Sequence, residues 1–448
     1  MRNSLPDSLA PRGFRFTEMN SRARIRTGVL LAILIGLAIY AWRQDSWGRD
    51  LGKIENWLAM RADRRALKET LALEQKWGRT GDGHVLAARA MRHLERDDSC
   101  REELNRAAVR GASPAVIAHE SRLLAAQHGQ ALSSPYELDE ILASPLAPFS
   151  ENADAVMIGL IREKEEVPIQ QLMKLWSAQE PDTFWIDYYA GLISSKTGDE
   201  AGALAIYEKA YAIEPQFIPL LMEIGKNYWF VQAPEKAIEY LKRVIEVEPD
   251  YDEANSALSQ SLASIGRFEE AEAVMRPFID LADVCSDRAR QHGMVLIGLK
   301  RYQEAINAMT PSVRAWPQDL ELNRQLSECY QLIGDDKQAD LYSKAAEKGA
   351  VIVESISIRR NRDLKESKQA TAIAELGHDI MYFVSRVEGR DILENALAIN
   401  DRIPQAHRDL ATYYLLTGLQ ERASFHQLKA LELENENGNS SVLRATDE

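Results

Sequence analysis

The stretch YDEANSALSQSLASIGRFEEAEAVMRPFI, residues 251–279, decides the fold. Small and apolar residues recur at helical spacing on both sides of the segment Ile265-Gly266-Arg267. A glycine at such a point is typical of a helix end. The stretch therefore predicts two helices joined by a short turn.

Three kinds of residue recur every 34 positions through the middle of the chain. The first set is proline, with one aspartate at the missing step, the second is alanine, and the third is small. Three sets that share one period indicate an internal repeat. In that order the sets are Pro181, Pro215, Pro249, Asp283 and Pro317; Ala203, Ala237, Ala271, Ala305 and Ala339; and Gly191, Gly225, Ser259, Gly293 and Ser327.

The spacing within one repeat has a mechanical meaning. Gly225 lies 12 positions before Ala237, and Pro249 lies 12 positions after it. Small residues allow two helix backbones to approach closely, and proline suits the start of a helix that follows a turn. Each repeat is therefore predicted to be a pair of helices, which makes the predicted fold all-α.

These units resemble tetratricopeptide repeats. Residues 251–279 carry that family's small–small–Ala pattern and its G-x-F/Y-E-E-A turn, here GRFEEA from Gly266. The resemblance implies a helix-pair solenoid that coils as a right-handed superhelix. The predicted array covers 150–353, with a degenerate first unit at 150–183 followed by units at 184–217, 218–251, 252–285, 286–319 and 320–353.

The lattice is interrupted or weak outside this array. Residues 354–369 break the register by 16 positions, and two C-terminal units follow over 370–437, where Gly389 replaces the usual alanine. Residues 51–149 contain helix-sized stretches and are interpreted as degenerate helical repeats. Residues 438–448 form a polar tail that is predicted to fray.

Residues 27–42, TGVLLAILIGLAIYAW, form an uncharged apolar run with arginines on both sides. A helix of that length rises about 24 Å, slightly less than the roughly 30 Å of a bilayer core, and flanking arginines can reach the interface. The run therefore predicts one transmembrane helix ahead of the solenoid, and a cleaved signal peptide is the alternative. The excess of arginine before it predicts that the basic segment 1–26 is cytoplasmic and that the repeats are extracytoplasmic in a single-pass membrane protein.

The chain carries a formal charge of −14, and the part after residue 26 is more acidic still. Such a charge repels polyphosphate, which argues against a nucleic-acid partner. Cys100, Cys285 and Cys329 form no metal or redox motif and are interpreted as small buried residues, although their redox state stays open. His119-Glu120 is interpreted as a solvated helix pair, and His93 and His128 as exposed.

The sequence contains none of the common catalytic motifs, namely a phosphate-binding loop, a nucleophile elbow or a zinc-binding HExxH. The sequence therefore predicts a protein that is not an enzyme and that has no catalytic residue, cofactor, metal or small-molecule substrate. A cryptic catalytic site within 51–149 is a remote alternative.

The resemblance also implies where a partner binds. In tetratricopeptide repeats the first helix of each pair lines a concave surface, which other proteins or peptides occupy. Aromatic residues beside a cation are typical of binding hot spots, and they concentrate in the first two clear repeats. The lysine and asparagine clamp that chaperone-binding members use for a terminal carboxylate is absent. The alternative for Trp229 and Phe230 is that they pack against the preceding degenerate unit or fill a turn. The predicted groove residues are Trp185, Tyr188, Lys196, Met222, Lys226, Trp229 and Phe230.

Two functional hypotheses follow from these features. The first is a membrane-anchored scaffold that binds other proteins and contacts the membrane through 27–42. The second is an accessory or chaperone-like subunit of an envelope assembly or secretion system.

Overall fold

The computed structural model describes residues 45–78, 80–129, 135–163, 165–279, 286–365, 369–417 and 420–445. Within these ranges the secondary structure is helical, with no strand. The prediction of an all-α fold of paired helices is confirmed. The chain divides into two compact units at Gln179 and Glu180, so the degenerate repeat at 150–183 largely belongs to the first unit.

Unit 1 contains eight described helices. They are α1 (the described residues 45–59), α2 (Asp63–Trp77), α3 (Gly81–His93), α4 (Asp97–Val109), α5 (Pro114–Gln127), α6 (Pro135–Leu142), α7 (Phe149–Glu163) and α8 (Glu166–Gln179).

Unit 2 contains the clear repeats, and each predicted repeat holds two helices. They are α9 (Trp185–Lys196), α10 (Glu200–Ile213), α11 (Ile218–Phe230), α12 (Pro234–Val247), α13 (Asp252–Ser264), α14 (Phe268–Ile279), α15 (Ser286–Gly298), α16 (Tyr302–Ala315), α17 (Leu320–Ile333), α18 (Asp336–Lys365), α19 (Ala370–Phe383), α20 (Arg386–Ile399), α21 (Pro404–Leu416) and α22 (Gln420–Ala445).

The 34-residue lattices mark the line along which the two helices of a pair touch. The lattice alanines are buried, with exposures of 0–3%. A Cβ built on Gly225 would lie 2.8 Å from Cγ of Leu241 on the second helix, so only glycine permits this approach. Where the lattice has serine, the hydroxyl instead donates to the facing helix: Ser327 Oγ lies 2.9 Å from the carbonyl oxygen of Ala339.

The break at 354–369 coincides with one long helix. Helix α18 has 30 residues, whereas the other second helices before it have 12 to 14. Arg359 on its extension pairs with Asp379, and Arg360 donates to Glu388 at 2.6 Å. The added turns therefore shift the register while the extension stays attached to the following pair. Helix α22 similarly continues to Ala445, through most of the predicted polar tail.

Unit 1 is held together by a buried network of charged residues. Arg89 donates to Glu120 at 2.7 Å, and Arg92, with no exposed surface, lies 3.3 Å from the same carboxylate and also pairs with Glu151. His93 bridges Asp63 and Glu151 at 2.7 Å each. The predicted exposure of His93 is wrong, because its side chain is buried in this network. The predicted solvation of His119-Glu120 is also wrong, because both residues are buried. The network links α2, α3, α5 and α7.

Cys100 and Cys329 are free and buried, as the sequence analysis expects; Cys285 lies outside the described residues. Burial raises the pKa of Cys100 to about 12 and that of Cys329 to about 11. Since the thiolate is the reactive form, we expect both to resist iodoacetamide at pH 8 in the native chain and to react after denaturation. Peptide mass spectrometry checks this expectation, and native modification of either thiol at the rate of a free cysteine would contradict it.

The predicted location in a membrane requires a correction. The apolar segment 27–42 lies outside the described residues. Within the described ranges, no helix combines the length and the apolar character needed to span a membrane. Most helices have at most 15 residues, or about 22 Å, and the two longer ones, α18 and α22, carry many charges. The prediction of a single-pass membrane protein with extracytoplasmic repeats is therefore wrong on this finding.

Candidate partner-binding site

A cavity of about 590 Å³ lies within unit 2, along the first helices of four successive pairs. Helices α11, α13, α15 and α17 line it, and Leu241 of α12 reaches it beside Gly225. The helix-pair repeat brings these four helices side by side because each second helix packs behind its own first helix. Side chains of successive repeats therefore face one space.

The apolar side of the cavity comes mainly from α11. Met222 is buried, Trp229 is half-buried and Phe230 is 57% exposed. The rings of Trp229 and Phe230 meet edge to face, with centroids 5.3 Å apart. Met294 of α15 extends the same apolar lining. An exposed aromatic ring beside a cavity offers apolar area that a partner can cover.

Lys226, predicted as the cation of the site, is already neutralised. Its ammonium group lies 3.2 Å from Glu223 and 2.5 Å from Glu253, so it links α11 to α13. Burial lowers the pKa of Lys226, but the two glutamates outweigh burial and leave that pKa above its ordinary value. Lys226 thus organises the lining and is not an open site for an anion.

The far side of the cavity is polar. Gln291 donates to Ser259 Oγ at 3.4 Å, and Gln325 Nε2 donates to Glu321 Oε1 at 3.2 Å. The amide oxygen of Gln325, Oε1, is buried and has no hydrogen-bond partner in the described part of the chain. The lining therefore changes from aromatic and apolar at α11 to amide and carboxylate at α17.

Four of the seven predicted groove residues line this cavity: Met222, Lys226, Trp229 and Phe230. Trp185 and Tyr188 do not line it. Trp185 is 8% exposed and stacks on Phe184 with centroids 4.9 Å apart, and Tyr188 packs edge to face on Phe217 at 5.3 Å. These rings fill the interior at the start of unit 2. Lys196 is exposed at the end of α9 and is also absent from the lining.

Sequence reasoning missed the contribution of α15 and α17. Gln291 and Gln325 occupy the same place in successive repeats, 34 residues apart, and both line the cavity. The same lattice step from Glu223 leads to Ala257 and then to these two glutamines. Extending the lattice to that position is the signal that would have found them.

Unit 1 has a separate cavity of about 680 Å³ on its own alternate helices, α1, α3, α5 and α7. Arg89 and Glu151 line it, and both belong to the buried network. Within the ranges that the structure describes, no group of three or more His, Cys, Asp or Glu side chains could hold a metal ion. Arg89 and Glu151 link helices at this cavity through their contacts with Glu120, Arg92 and His93.

Comparison with known proteins gives limited matches. No curated protein shows significant sequence similarity to the chain. Among solved structures, a crystal structure of MamA is 25% identical over 35% of this chain and 92% of its own, with a TM-score of 0.33. A MamA from Desulfovibrio magneticus RS-1 is 17% identical over 37% of this chain and 94% of its own, with a TM-score of 0.35. At these TM-scores the likeness supports no inference about function.

One family model matches, over the part of the chain that contains α12, α13 and α14. It is the tetratricopeptide repeat, matched by residues 232–280. The matched residues include the stretch 251–279 whose pattern suggested the family. Residues 232–280 therefore carry a tetratricopeptide repeat.

Proposed function

We propose that this chain is a non-catalytic scaffold that binds other proteins or peptides through the cavity along α11, α13, α15 and α17. The observation that carries the proposal is the aromatic edge of that cavity, formed by Trp229 and the exposed Phe230. Aromatic side chains beside a partly desolvated cavity contribute most of the affinity at protein interfaces. A partner residue that enters the cavity would cover Phe230 and contact Met222.

The repeat itself also supports a binding function. Stacked helix pairs present an extended surface made of one helix from each pair, and proteins built this way commonly use that surface for recognition. The lining draws on four repeats, so an extended segment can contact several of them at once. The paired state of Lys226 predicts that a free carboxylate on the partner is not the main determinant of binding.

Replacing Trp229 with alanine is expected to weaken binding by about thirty-fold, since loss of an aromatic hot spot costs roughly 2 kcal/mol. The probe is a set of twelve-residue peptides selected from a random displayed library on the intact chain. Their affinities are measured by fluorescence anisotropy for the native chain and for Trp229→Ala. Because Trp229 is only half-buried, we expect the helices of the variant to persist, and circular dichroism checks this.

The matched control is Phe425→Ala. Phe425 is an aromatic residue of α22 with 61% exposure, close to that of Phe230, and it does not line the cavity. We expect the selected peptides to bind this control as they bind the native chain. Equal affinity of the peptides for Trp229→Ala and Phe425→Ala would contradict the assignment of the cavity as the binding site.

A further inference from the structure

We infer that the segment bound in this cavity is a peptide that carries an apolar side chain and, a few residues away, a lysine or arginine. The inference rests on the proposed function and adds the chemistry of the partner. It depends on the distribution of donors and acceptors around the lining, which is uneven. One buried acceptor at the polar side has no donor, and the cations already have partners.

The main observation is the amide of Gln325. The side chain is 8% exposed, it lines the cavity, and its Oε1 has no hydrogen-bond partner. The hydrogen bond identifies the amide nitrogen, because the nitrogen faces the carboxylate of Glu321 at 3.2 Å and exchanging nitrogen and oxygen would place two acceptors together. A buried acceptor without a donor costs free energy, and native proteins seldom keep one without a use.

The oxygen itself has almost no accessible surface, so an incoming donor reaches it only when the amide turns. Gly293 of α15 packs close to it, since a Cβ built there would lie 3.2 Å from Gln325 Oε1 and 2.4 Å from the sulfur of Met309. The terminal torsion of glutamine is soft, which allows the amide to turn toward an incoming group. A residue with several N–H donors, such as lysine or arginine, suits this position.

The charges of the lining favour a cation as well. Glu253 and Glu321 both line the cavity, but Glu253 is already paired with Lys226, so the carboxylate that a ligand cation can meet is that of Glu321, whose side chain is 34% exposed. Among the residues that the structure describes, Glu321 pairs only with Gln325 and with Arg324, whose side chain is 72% exposed, and a surface pair of this kind contributes little. The two cations of the lining already have partners, because Lys226 is held by two glutamates and Arg290 is not free either.

The apolar side chain of the ligand belongs at the opposite side. Met222, Trp229, Phe230 and Met294 make a wall with no charged group of its own. A ligand that inserts an apolar residue there and extends toward α17 brings its next side chains to Glu321 and Gln325. A peptide with an acidic residue in that place would meet carboxylates and an amide oxygen, which repel it.

The test uses three pools of synthetic fourteen-residue peptides labelled with fluorescein. Each pool has one phenylalanine in a Gly/Ser/Ala background and, three to nine residues away, one arginine, one glutamate or one glutamine. Binding to the full chain is followed by anisotropy at physiological salt. We expect the arginine pool to bind at least ten-fold more tightly than the glutamate pool, with the glutamine pool between them.

The deciding variant is Gln325→Leu, which leaves the net charge of the chain unchanged. Any non-specific attraction of a basic peptide to this acidic protein is therefore the same in the variant. Gln325→Leu is expected to lower the affinity for the arginine pool by about ten-fold, as expected for the loss of one hydrogen bond to a charged group, and to leave the glutamine pool within about two-fold. Gln331→Leu, on an exposed glutamine of the same helix outside the lining, is the matched control and should change neither affinity.

The outcomes separate this inference from the proposed function. If binding of every pool is insensitive to Trp229→Ala, the proposed function itself fails. If binding depends on Trp229 but the glutamate pool binds as well as the arginine pool, or Gln325→Leu behaves like Gln331→Leu, only the inference about a basic partner is overturned. If the Gln325→Leu chain shows reduced helicity, Gln325→Met, which is closer in shape to glutamine and also leaves the net charge unchanged, gives the same comparison.

Discussion

Replacing Arg92 with methionine is expected to lower the free energy of unfolding of unit 1 by about 3–5 kcal/mol. Arg92 has no exposed surface and lies between the carboxylates of Glu120 and Glu151. Removing it leaves two buried negative charges with fewer counter-charges, which is more costly than removing the whole group of charges together. Methionine keeps most of the side-chain volume, so the expected loss comes from charge and hydrogen bonding.

The direction of the pKa values supports this expectation. Burial raises the pKa of Glu120, but the charges of Arg89 and Arg92 outweigh burial and leave the pKa below its ordinary value. Burial likewise raises the pKa of Glu151, and His93, Arg61 and Arg92 outweigh it by more, so that pKa lies well below its ordinary value. Both groups are therefore charged near neutral pH and depend on their cationic neighbours.

A defined pH dependence follows. A carboxyl group whose pKa is lowered by folding stabilises the folded state above its unfolded pKa, about 4.5, and loses that contribution as the pH falls through the folded pKa. The difference in stability between the native chain and Arg92→Met should therefore be largest near pH 7 and should shrink in acid. Repeating the unfolding measurement at a series of pH values from 7 downward tests the sign.

The matched control for this prediction is Arg106→Met. Arg106 also contacts two carboxylates, Glu102 and Glu103, but its side chain is 50% exposed on α4, where ion pairs contribute at most about 1 kcal/mol. Hydrogen exchange of peptides from α3, α5 and α7 in the full chain reports on unit 1 separately from unit 2. Equal protection in the two variants would show that the buried network contributes no more than a surface pair.

The repeat could be predicted from the sequence because its physical cause is periodic. Close packing of the two helices of a pair demands small residues at fixed places in every unit. The small residue at the place of Gly225 and the alanine at the place of Ala237 therefore recur every 34 positions. The network of Arg92 has no such signature. Its members come from four helices, and a buried arginine has the same sequence spacing as an exposed one, so only the folded neighbours distinguish Arg92 from Arg106.

A similar reason explains why the sequence predicts only some of the residues that line the cavity. Three of the residues at the family's groove positions, Met222, Trp229 and Phe230, line the cavity, because they lie on a repeat with regular neighbours on both sides. Trp185, at the same kind of position at the start of unit 2, does not line the cavity, because Phe184 and Phe217 pack against its ring. An aromatic side chain has the same appearance in a sequence whether it fills an interior or lines a surface.

Replacing Gly389 with alanine is expected to destabilise the pair α19–α20 by roughly 2 kcal/mol. In the other repeats alanine occupies this place, so the substitution restores the family pattern and also improves helix propensity by up to about 1 kcal/mol. Packing opposes both advantages. A Cβ on Gly389 would lie 2.4 Å from both the Cα and the backbone nitrogen of Met381.

This contact involves backbone atoms, so no rotation of a side chain can relieve it, and the two helices must move apart. That movement would loosen the buried contacts of Leu376, Ile380 and Leu393, which belong to one core cluster. Gly52→Ala is the matched control, because Gly52 is also helical and a Cβ there meets nothing within 4 Å. Urea unfolding and hydrogen exchange should show Gly52→Ala unchanged or stabilised and Gly389→Ala destabilised around α19. Stabilisation of both variants would mean that the close approach of α19 and α20 at Gly389 does not determine how a side chain there affects stability.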